Sequence, residues 1–359
     1  MDRNAFDSLL YLTELKKVRT QEAVVNHLNR MANSPLANFH RVGGYIYKQF
    51  IFNTHTNSSF PEIQDEYNNT KKTNELFADE LCCIGEEFKK KGIPMITLKG
   101  IPLAINIYQD LGVRKCSDID ILINPDHASE ATEILHHLGY VQGRYDKVQK
   151  RIIPASRYEI VNQRLFTHEL FKFVKIVQSE PVYVDINTRF SWIGPAFYNS
   201  IDVKFSELYK HSVRFCYKEH SLCHLSYEFF LLHLCIHIYN EAVFFTLQRR
   251  YEYDEITLAK LLDIQKLCQS KNFRWEEFNV LCHHYSAHTQ VSYVFTVLER
   301  LYPFTWGQYS HIIEKHEVSI DTYYSASGAP KTWRLDIKKR MFEIEEKTIE
   351  YLEENQQEE

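Results

Sequence analysis

The stretch of sequence that decides the fold ends in Ser117-Asp118-Ile-Asp120-Ile-Leu-Ile123. Polar and apolar residues alternate at its start, which predicts a β-strand whose side chains point to opposite faces in turn. Asp118 and Asp120 would then share one face, while the isoleucines next to them point into a core. Two neighbouring carboxylates repel each other unless a cation lies between them, and Mg²⁺ often binds one or two protein carboxylates together with substrate phosphates. The pattern therefore indicates either a magnesium site or, as the simpler alternative, two solvated acids at the end of a strand.

The residues on either side of this strand make the pattern more specific. An apolar run, residues 93–98, ends at Lys99-Gly100 and is followed by a helical pattern. The chain then reads Tyr108-Gln-Asp110-Leu-Gly-Val-Arg114 before the two aspartates, and Pro125-Asp126 opens a helix after them that ends at Gly139. A strand, a glycine at the head of a helix and a second strand that carries two aspartates thus follow one another.

This order of elements resembles the nucleotidyltransferase superfamily that includes DNA polymerase β and the aminoglycoside nucleotidyltransferases. The sequence motifs are similar to those of a bacterial branch described as "nucleotidyltransferase family protein". That branch carries a leucine–lysine–glycine turn, a tyrosine–aspartate–leucine–glycine–x–arginine run and an aspartate–isoleucine–aspartate–isoleucine–leucine strand. The chain supplies all three, as Leu98-Lys99-Gly100, Tyr108 to Arg114 and Asp118 to Leu122. It departs from the superfamily in having Ile101, where serine often follows the glycine, and in a longer gap between Gly100 and Asp118.

The resemblance requires a third carboxylate on a later strand. Asp185, in Val182-Tyr-Val-Asp-Ile-Asn-Thr-Arg189, fits this position, since the branch commonly has a glutamate–leucine–histidine–tryptophan–arginine phrase there. Strand alternation places Asp185, Asn187 and Arg189 on one face. Glu159 is the alternative third acid, and a buried structural role is the alternative for Asp185.

The resemblance implies an enzyme that transfers a nucleoside monophosphate, AMP from ATP in the favoured case, to a hydroxyl of a small molecule or peptide and releases pyrophosphate. Asp118 and Asp120 would hold the nucleotide-bound Mg²⁺, and all three acids a second Mg²⁺ that lowers the pKa of the acceptor hydroxyl. Asp185 would also act as general base. The expected contacts to nucleotide and phosphate are Lys99, Gly100, Arg114, His168 and Arg189.

The expected fold class is α+β, with a polymerase β-like core made of a small mixed sheet and flanking helices, plus helical regions at both ends. The polar residues 53–69 predict a loop, the next helix is expected to start near Thr73, and residues 206–302 read as helical throughout. The expected domains are an N-terminal helical region (1–90), the catalytic core (91–204), a C-terminal helical domain (205–330) and a charged C-terminal helix or tail (331–359).

Composition narrows the function classes. The net charge of −5 in 359 residues arises from the segment 343–359, where eight Glu and one Lys give −7 and leave residues 1–342 at +2. A body so close to neutrality disfavours a large RNA acceptor, because phosphate contacts require clustered Lys and Arg. The sequence has no apolar run of about 18 residues, no C-x-x-C pair among its eight cysteines and no start typical of a signal peptide. A cytoplasmic protein without a membrane span is therefore expected, of unknown oligomeric state.

Two alternative functions stay open on the sequence alone. One is the same chemistry on tRNA or protein, as in toxin-like relatives; the other is a nucleotide-binding protein without activity, although the presence of all three acids argues against it. Histidines recur in the C-terminal half, at His224, His233, His237 and His283-His284. They lack the H-E-x-x-H arrangement of a metal-binding helix and are interpreted as core or hydrogen-bonded side chains.

Overall fold

The computed structural model describes residues 3–15, 19–31, 34, 36–51, 60–191, 201–244, 256–302, 314–325, 328–343 and 346–350. The chain divides into two compact units, which we call the sheet unit (Asn68–Phe230) and the helical unit (Met1–Tyr67 with Leu231–Glu359). Some predicted features therefore lie outside the described residues, namely residues 53–59 of the predicted loop, 245–255 of the predicted helical range and 351–359 of the charged tail.

Helices account for most of the regular structure. They are α1 (Arg3–Thr13), α2 (Gln21–Met31), α3 (Leu36–Phe39), α4 (Gly43–Ile46), α5 (Pro61–Lys90), α6 (Ile101–Asn106), α7 (Ala128–His137), α8 (Arg157–Phe166), α9 (Phe205–Lys210), α10 (Tyr227–Val243), α11 (Leu258–Cys268), α12 (Trp275–His284), α13 (His288–Leu301) and α14 (Ile337–Phe342). A π-helical turn, Tyr47–Ile51, follows α4, and a 3₁₀ turn, Pro125–His127, precedes α7. Within the described ranges, none of the helices combines the length and apolar character needed to cross a bilayer.

The strands fall into one large sheet and one small hairpin. They are β1 (Met95–Thr97), β2 (Ile119–Ile123), β3 (Val141–Asp146), β4 (Arg151–Pro154), β5 (Phe173–Val177), β6 (Glu180–Asn187), β7 (Val213–Tyr217), β8 (His220–His224), β9 (Thr322–Tyr324) and β10 (Pro330–Thr332). Strands β1 to β8 form a sheet in the order β4-β3-β5-β6-β2-β1-β8-β7, while β9 and β10 pair with each other. In the large sheet, β2–β6 and β1–β8 are parallel pairs and the other neighbours are antiparallel.

The core of the sheet unit forms between this sheet and the helices α5 and α7. Apolar residues recur along these helices at helical spacing, and those of β2 and β6 alternate with polar residues. Buried members of the cluster include Ile84, Phe88, Leu135, Ile119, Ile121 and Val184. The aspartates of β2 and β6 are therefore held by strands whose intervening residues are anchored in the core.

The architecture confirms an α+β fold with a mixed sheet, and the sheet is larger than the small one expected. The β7–β8 hairpin, Val213 to His224, lies in a range that the sequence analysis expected to be helical. Phe215 pairs with Leu222 across the hairpin and both are buried. Burial therefore alternates from one residue to the next here, as in a β-strand. The expectation of a helix here was wrong because the longer apolar pattern of α10 dominated the sequence on the C-terminal side. The polymerase β-like form of the core remains a prediction.

Helix α5 begins earlier than expected. It starts at Pro61 rather than near Thr73, so the predicted loop was wrong for residues 61–69. Proline suits the first position of a helix, since it lacks an N–H that would find no intrahelical partner there, and Glu62 adds a favourable charge in the first turn. The polar residues that follow are compatible with an exposed helix face. Polar composition alone therefore does not distinguish a loop from such a helix.

Tyr140, just after α7, connects this part of the core to α5. Its hydroxyl donates a hydrogen bond to Glu80 Oε2 at 2.7 Å, and Lys175 Nζ on β5 lies 2.9 Å from the same oxygen. Tyr140 and Glu80 are both buried. The carboxylate therefore depends on protein donors in place of water.

Replacing Tyr140 with Phe is expected to lower the free energy of unfolding by about 1–2 kcal/mol, because the buried carboxylate loses one of its donors. Urea denaturation followed by circular dichroism measures the change. Tyr158→Phe is the matched control, since Tyr158 is 75% exposed. An equal loss of stability in both variants would contradict a role for the Tyr140–Glu80 hydrogen bond.

Candidate functional site

The two strands that carry the predicted acids are neighbours in the sheet. Strands β2 and β6 run parallel, and their register places Asp120 directly opposite Asp185. Asp118 immediately precedes β2 and lies on the same face as Asp120, since Ile119 and Ile121 are buried in the core on the other face. Parallel pairing in this register thus brings three carboxylates to one face of the sheet.

Two lysine ammonium groups contact these carboxylates. Lys172 Nζ lies 3.0 Å from Asp185 Oδ2 and 3.4 Å from Asp118 Oδ2, so it bridges the two acids. Lys99 Nζ, which comes from the turn after β1, lies 3.5 Å from Asp120 Oδ1. Each of the three acids is therefore next to a positive charge.

Burial and mutual repulsion change the acidity of the cluster. Burial raises the pKa of Asp185 to about 7; Lys172 opposes this shift, while Asp118 and Glu169 add to it. Burial likewise raises the pKa of Asp120 well above its usual range. Asp118 and Asp185 add to this shift, whereas Lys99 opposes it. Burial also disfavours ionised Asp118, but Lys172, Lys99 and a hydrogen bond from the Ser117 hydroxyl outweigh it and lower its pKa.

The donor set of this cluster fits a divalent cation. Its ligand atoms are carboxylate oxygens, which suit hard ions such as Mg²⁺. A cation, the Lys172 ammonium, already lies between Asp118 and Asp185. Within the described residues, the two lysines balance only part of the charge that these three acids and the neighbouring Glu169 would carry when ionised. The arrangement therefore favours the uptake of further positive charge.

The turn after β1 depends on a glycine. Gly100 has φ +82° and ψ −114°, a conformation that residues with a side chain rarely adopt. The turn is attached to the acid-bearing strand, since the Leu98 N–H donates a hydrogen bond to the Asp120 carbonyl at 3.0 Å. Ile101, which replaces the serine expected from the resemblance, is buried. This position therefore contributes to packing.

Hydrogen bonds within the loop and from α5 hold the loop between α6 and β2 in place. The Asp110 side chain accepts a hydrogen bond from the Gly112 N–H at 2.8 Å, which closes a tight turn. The buried Asn74 amide donates to the carbonyls of Leu111 and Arg114 at 2.6 and 2.7 Å. These bonds explain the aspartate of the motif as a local structural requirement, and they fix the backbone that carries Arg114.

The remaining predicted contacts, His168 and Arg189, line a cavity of about 640 Å³ in the sheet unit. His168 Nε2 lies 3.4 Å from Glu169 Oε1, and Glu169 forms a β-bridge with Asn187 at the end of β6. Glu169 also raises the pKa of Asp120 and Asp185, but none of the three aspartates lines the cavity. The charged or titratable side chains of its lining are Arg164, His168, Glu169, Arg189, Asp202 and Lys204.

Glu159, the alternative third acid, has a different environment. It lies in the first turn of α8, where its carboxylate accepts hydrogen bonds from the Ser156 N–H at 2.9 Å and the Ser156 hydroxyl at 2.8 Å. Arg144 donates to the same carboxylate at 2.5 Å. This is a capping box, a device that stabilises the start of a helix. The geometry therefore favours Asp185 over Glu159 as the partner of the two aspartates on β2.

Comparison with known protein families agrees with this geometry. Residues 32–303 match the model of a family described as uncharacterised nucleotidyltransferase. The chain belongs to this family. The matched range contains β1, β2 and β6 and thus the whole acid cluster, so the protein is a nucleotidyltransferase and uses a nucleotide substrate. Searches of curated proteins and of solved structures gave no match.

Two charged residues of this nucleotidyltransferase site were missed by the sequence analysis. Lys172 is part of no motif, and its contacts to Asp118 and Asp185 depend on the antiparallel pairing of β5 with β6. Glu169 lies beside His168, which the resemblance had singled out. The alternation around Phe173, which is fully buried, would have placed Lys172 on the face opposite the core.

Replacing Asn74 with Ala in the nucleotidyltransferase is expected to lower the free energy of unfolding by about 1–3 kcal/mol, because two carbonyls lose their buried donor. Chemical denaturation measures the effect. Asn69→Ala is the matched control, since it lies exposed on the same helix and experiences the same change in helix propensity. If both variants lose the same stability, the loop does not depend on Asn74.

The raised pKa of Asp185 also predicts how stability changes with pH. A carboxyl group whose pKa rises from 3.8 to about 7 on folding binds more protons in the folded than in the unfolded state between these values. Stability from this group is therefore present at low pH and is lost as pH rises through that window.

Asp185→Asn should remove this dependence. In buffers free of divalent cations, the free energy of unfolding of D185N relative to wild type is expected to increase steadily from about pH 4 to pH 7. Urea denaturation at several pH values measures the slope, and Asp126→Asn, at an exposed aspartate after β2, is the control. A difference between D185N and wild type that stays constant over this range would contradict the raised pKa.

Proposed function

We propose that this nucleotidyltransferase transfers a nucleoside monophosphate, most favourably AMP from ATP, to a hydroxyl of a small molecule or peptide and releases pyrophosphate. The observation that carries the proposal is the pairing of Asp120 with Asp185 across parallel strands, with Asp118 on the same face. Three carboxylates in such an arrangement suit an ion-assisted displacement at phosphorus, in which charge must be neutralised on both the attacking and the leaving oxygen.

Magnesium is the cation that this proposal assigns to the acids. Asp118 and Asp120 would hold the nucleotide-bound Mg²⁺, and Asp185 would join them in holding a second ion. When bound, these ions would neutralise triphosphate charge and lower the pKa of the acceptor hydroxyl. Lys172 occupies the space between Asp118 and Asp185 and balances their charge until such binding.

Asp185 is suited to act as the general base. In the absence of a divalent ion, burial raises its pKa to about 7, so this carboxylate is more basic than an exposed one. In the proposed reaction the acceptor oxygen forms a bond to the α-phosphorus, the bond from that phosphorus to the bridging oxygen breaks, and pyrophosphate leaves. The hydroxyl proton passes to Asp185, and catalysis arises chiefly from positioning and charge neutralisation.

The cationic side chains around the acids divide into two sets. Lys99 and Arg114 lie on the segments that lead from β1 to β2, on either side of the Gly100 turn, and we assign this side to the triphosphate. His168 and Arg189 line the cavity together with Arg164 and Lys204, so this side also suits an anionic group of the nucleotide or the acceptor.

Asp120→Asn and Asp185→Asn are each expected to lower the rate of pyrophosphate release by about 10³-fold or more. Each removes a carboxylate that would hold Mg²⁺, and the ions would neutralise the phosphate charge in the transition state. The assay combines each of the four NTPs with Mg²⁺ and a mixture of hydroxyl compounds and serine or tyrosine peptides. Mass spectrometry then identifies the adduct. Asp126→Asn, at an exposed aspartate, should retain activity.

Three results would overturn the proposal or redirect it. Turnover that is unchanged in Asp120→Asn would exclude the mechanism, and NTP binding without Mg²⁺ dependence or turnover would support a nucleotide-binding protein without activity. Transfer of a radiolabel from α-labelled ATP to nuclease-sensitive material would identify RNA as the acceptor. Thermal unfolding of every variant confirms that a loss of activity does not reflect a loss of folding.

A further inference from the structure

A cluster of histidines lies in the helical unit, apart from the acids of the sheet. Helix α12 ends at His284, a short turn follows, and α13 begins at His288. This turn brings the rings of His283 and His288 to 4.5 Å between centroids, and the ring of His316 stacks on His288 at the same separation. Three imidazoles from three separate places in the sequence are thus neighbours.

One carboxylate faces all three imidazoles. Glu314 Oε2 lies 3.5 Å from His283 Nε2 and 4.0 Å from His288 Nε2, and Glu314 Oε1 lies 3.6 Å from His316 Nε2. These distances exceed the usual length of a hydrogen bond between nitrogen and oxygen. They approach the separation of about 3.3 Å between neighbouring ligands of a tetrahedral zinc ion, whose bonds are about 2.0–2.1 Å long. The separations from Glu314 to His283 and His288 therefore leave room for an ion between these groups.

His288 supplies an independent indication. The residue is only 9% exposed, and its Nε2 atom is shielded from solvent without a hydrogen-bond partner among the described residues. A buried polar nitrogen in this state costs free energy unless something binds it. This nitrogen faces the Glu314 carboxylate, and one ligand atom each from His283, His288 and Glu314 lie within 4.8 Å of one another.

The segment that carries Glu314 and His316 is fixed to α13. The His316 N–H donates a hydrogen bond to the buried Ser292 hydroxyl at 3.0 Å. Next to Glu314, Lys315 Nζ lies 2.7 Å from Glu299 Oε2. Contacts to two points along α13 thus hold the segment next to His288. The donors are positioned by packing that does not involve the ion itself.

We propose that His283, His288 and Glu314 bind a zinc ion. His316, whose ring lies parallel to that of His288, packs beside the site. Imidazole nitrogens with one carboxylate suit Zn²⁺ or a similar transition ion, whereas Mg²⁺ and Ca²⁺ prefer sites made of oxygen alone. Three protein ligands leave one position of a tetrahedral zinc ion open to water. The ion would connect the segment 314–316 to the turn between α12 and α13, and the exposed side chains of His283 and Glu314 give it a path from solvent.

The test uses the full chain, freed of metal with a chelator and kept in millimolar Mg²⁺ so that the carboxylate cluster does not take up zinc. Binding of one Zn²⁺ per chain is measured by competition with a chromophoric chelator and by mass spectrometry of the metal. His283→Ala and Glu314→Gln are each expected to weaken binding on the order of 100-fold. Both side chains are more than half exposed, so folding does not depend on them.

Matched controls lie next to each ligand. His284→Ala and Glu317→Gln change exposed residues of the same types, one and three positions away, and should leave zinc affinity unchanged. Zinc should raise the melting temperature of wild type and of both controls but not of the two ligand variants. Cobalt in place of zinc should give the strong visible absorption of a four-coordinate ion.

Three outcomes would overturn the proposal: no zinc bound at one equivalent, equal loss of affinity in His283→Ala and His284→Ala, or full binding in Glu314→Gln. Each of these leaves the magnesium-dependent reaction of the sheet unit untouched. The zinc site and the proposed nucleotidyl transfer are thus tested separately.

Discussion

The electrostatic repulsion between carboxylates on adjacent strands is the constraint on which the candidate site depends. Parallel pairing of β2 with β6 places Asp120 opposite Asp185. Separating these groups by a slip of one residue would turn the buried isoleucines of β2 away from the core. Packing of the apolar face therefore keeps Asp120 and Asp185 close together on the polar face. The free energy of apolar burial holds together charges that would otherwise move apart.

The same constraint explains why basic residues come from both sides of the pair. Lys172 precedes β5, which lies beside β6, whereas Lys99 follows β1, which lies beside β2. Each neighbouring strand therefore delivers one ammonium group to the acids. Because these lysines arrive on sheet strands and their turns, charge compensation is part of the same hydrogen-bonded framework that creates the repulsion.

The acids could be predicted from the sequence alone, but most of the residues around them could not. Alternation along residues 117–123 was enough to place Asp118 and Asp120 on one face, since it depends on local backbone geometry alone. The order of the strands depends on pairing between distant segments, which leaves no periodic trace in the chain. Lys172 lies just before the β5–β6 hairpin, and no motif distinguishes it from other lysines. The β7–β8 hairpin was missed because its strands are short and the longer apolar pattern of α10 follows it directly. The loop predicted before Thr73 was wrong because polar composition describes an exposed helix face as well as a loop.

Lys172 has a further consequence for the chemistry of the site. An ammonium group that is attached to the protein cannot be diluted away, so the acids keep a counter-ion whatever the composition of the solvent. An incoming ion must exchange with it, and a monovalent ion offers no more charge than the lysine already supplies. With the divalent ions that we propose, the site would act as an ion exchanger with a fixed internal competitor, and it would discriminate between ions by valence before size.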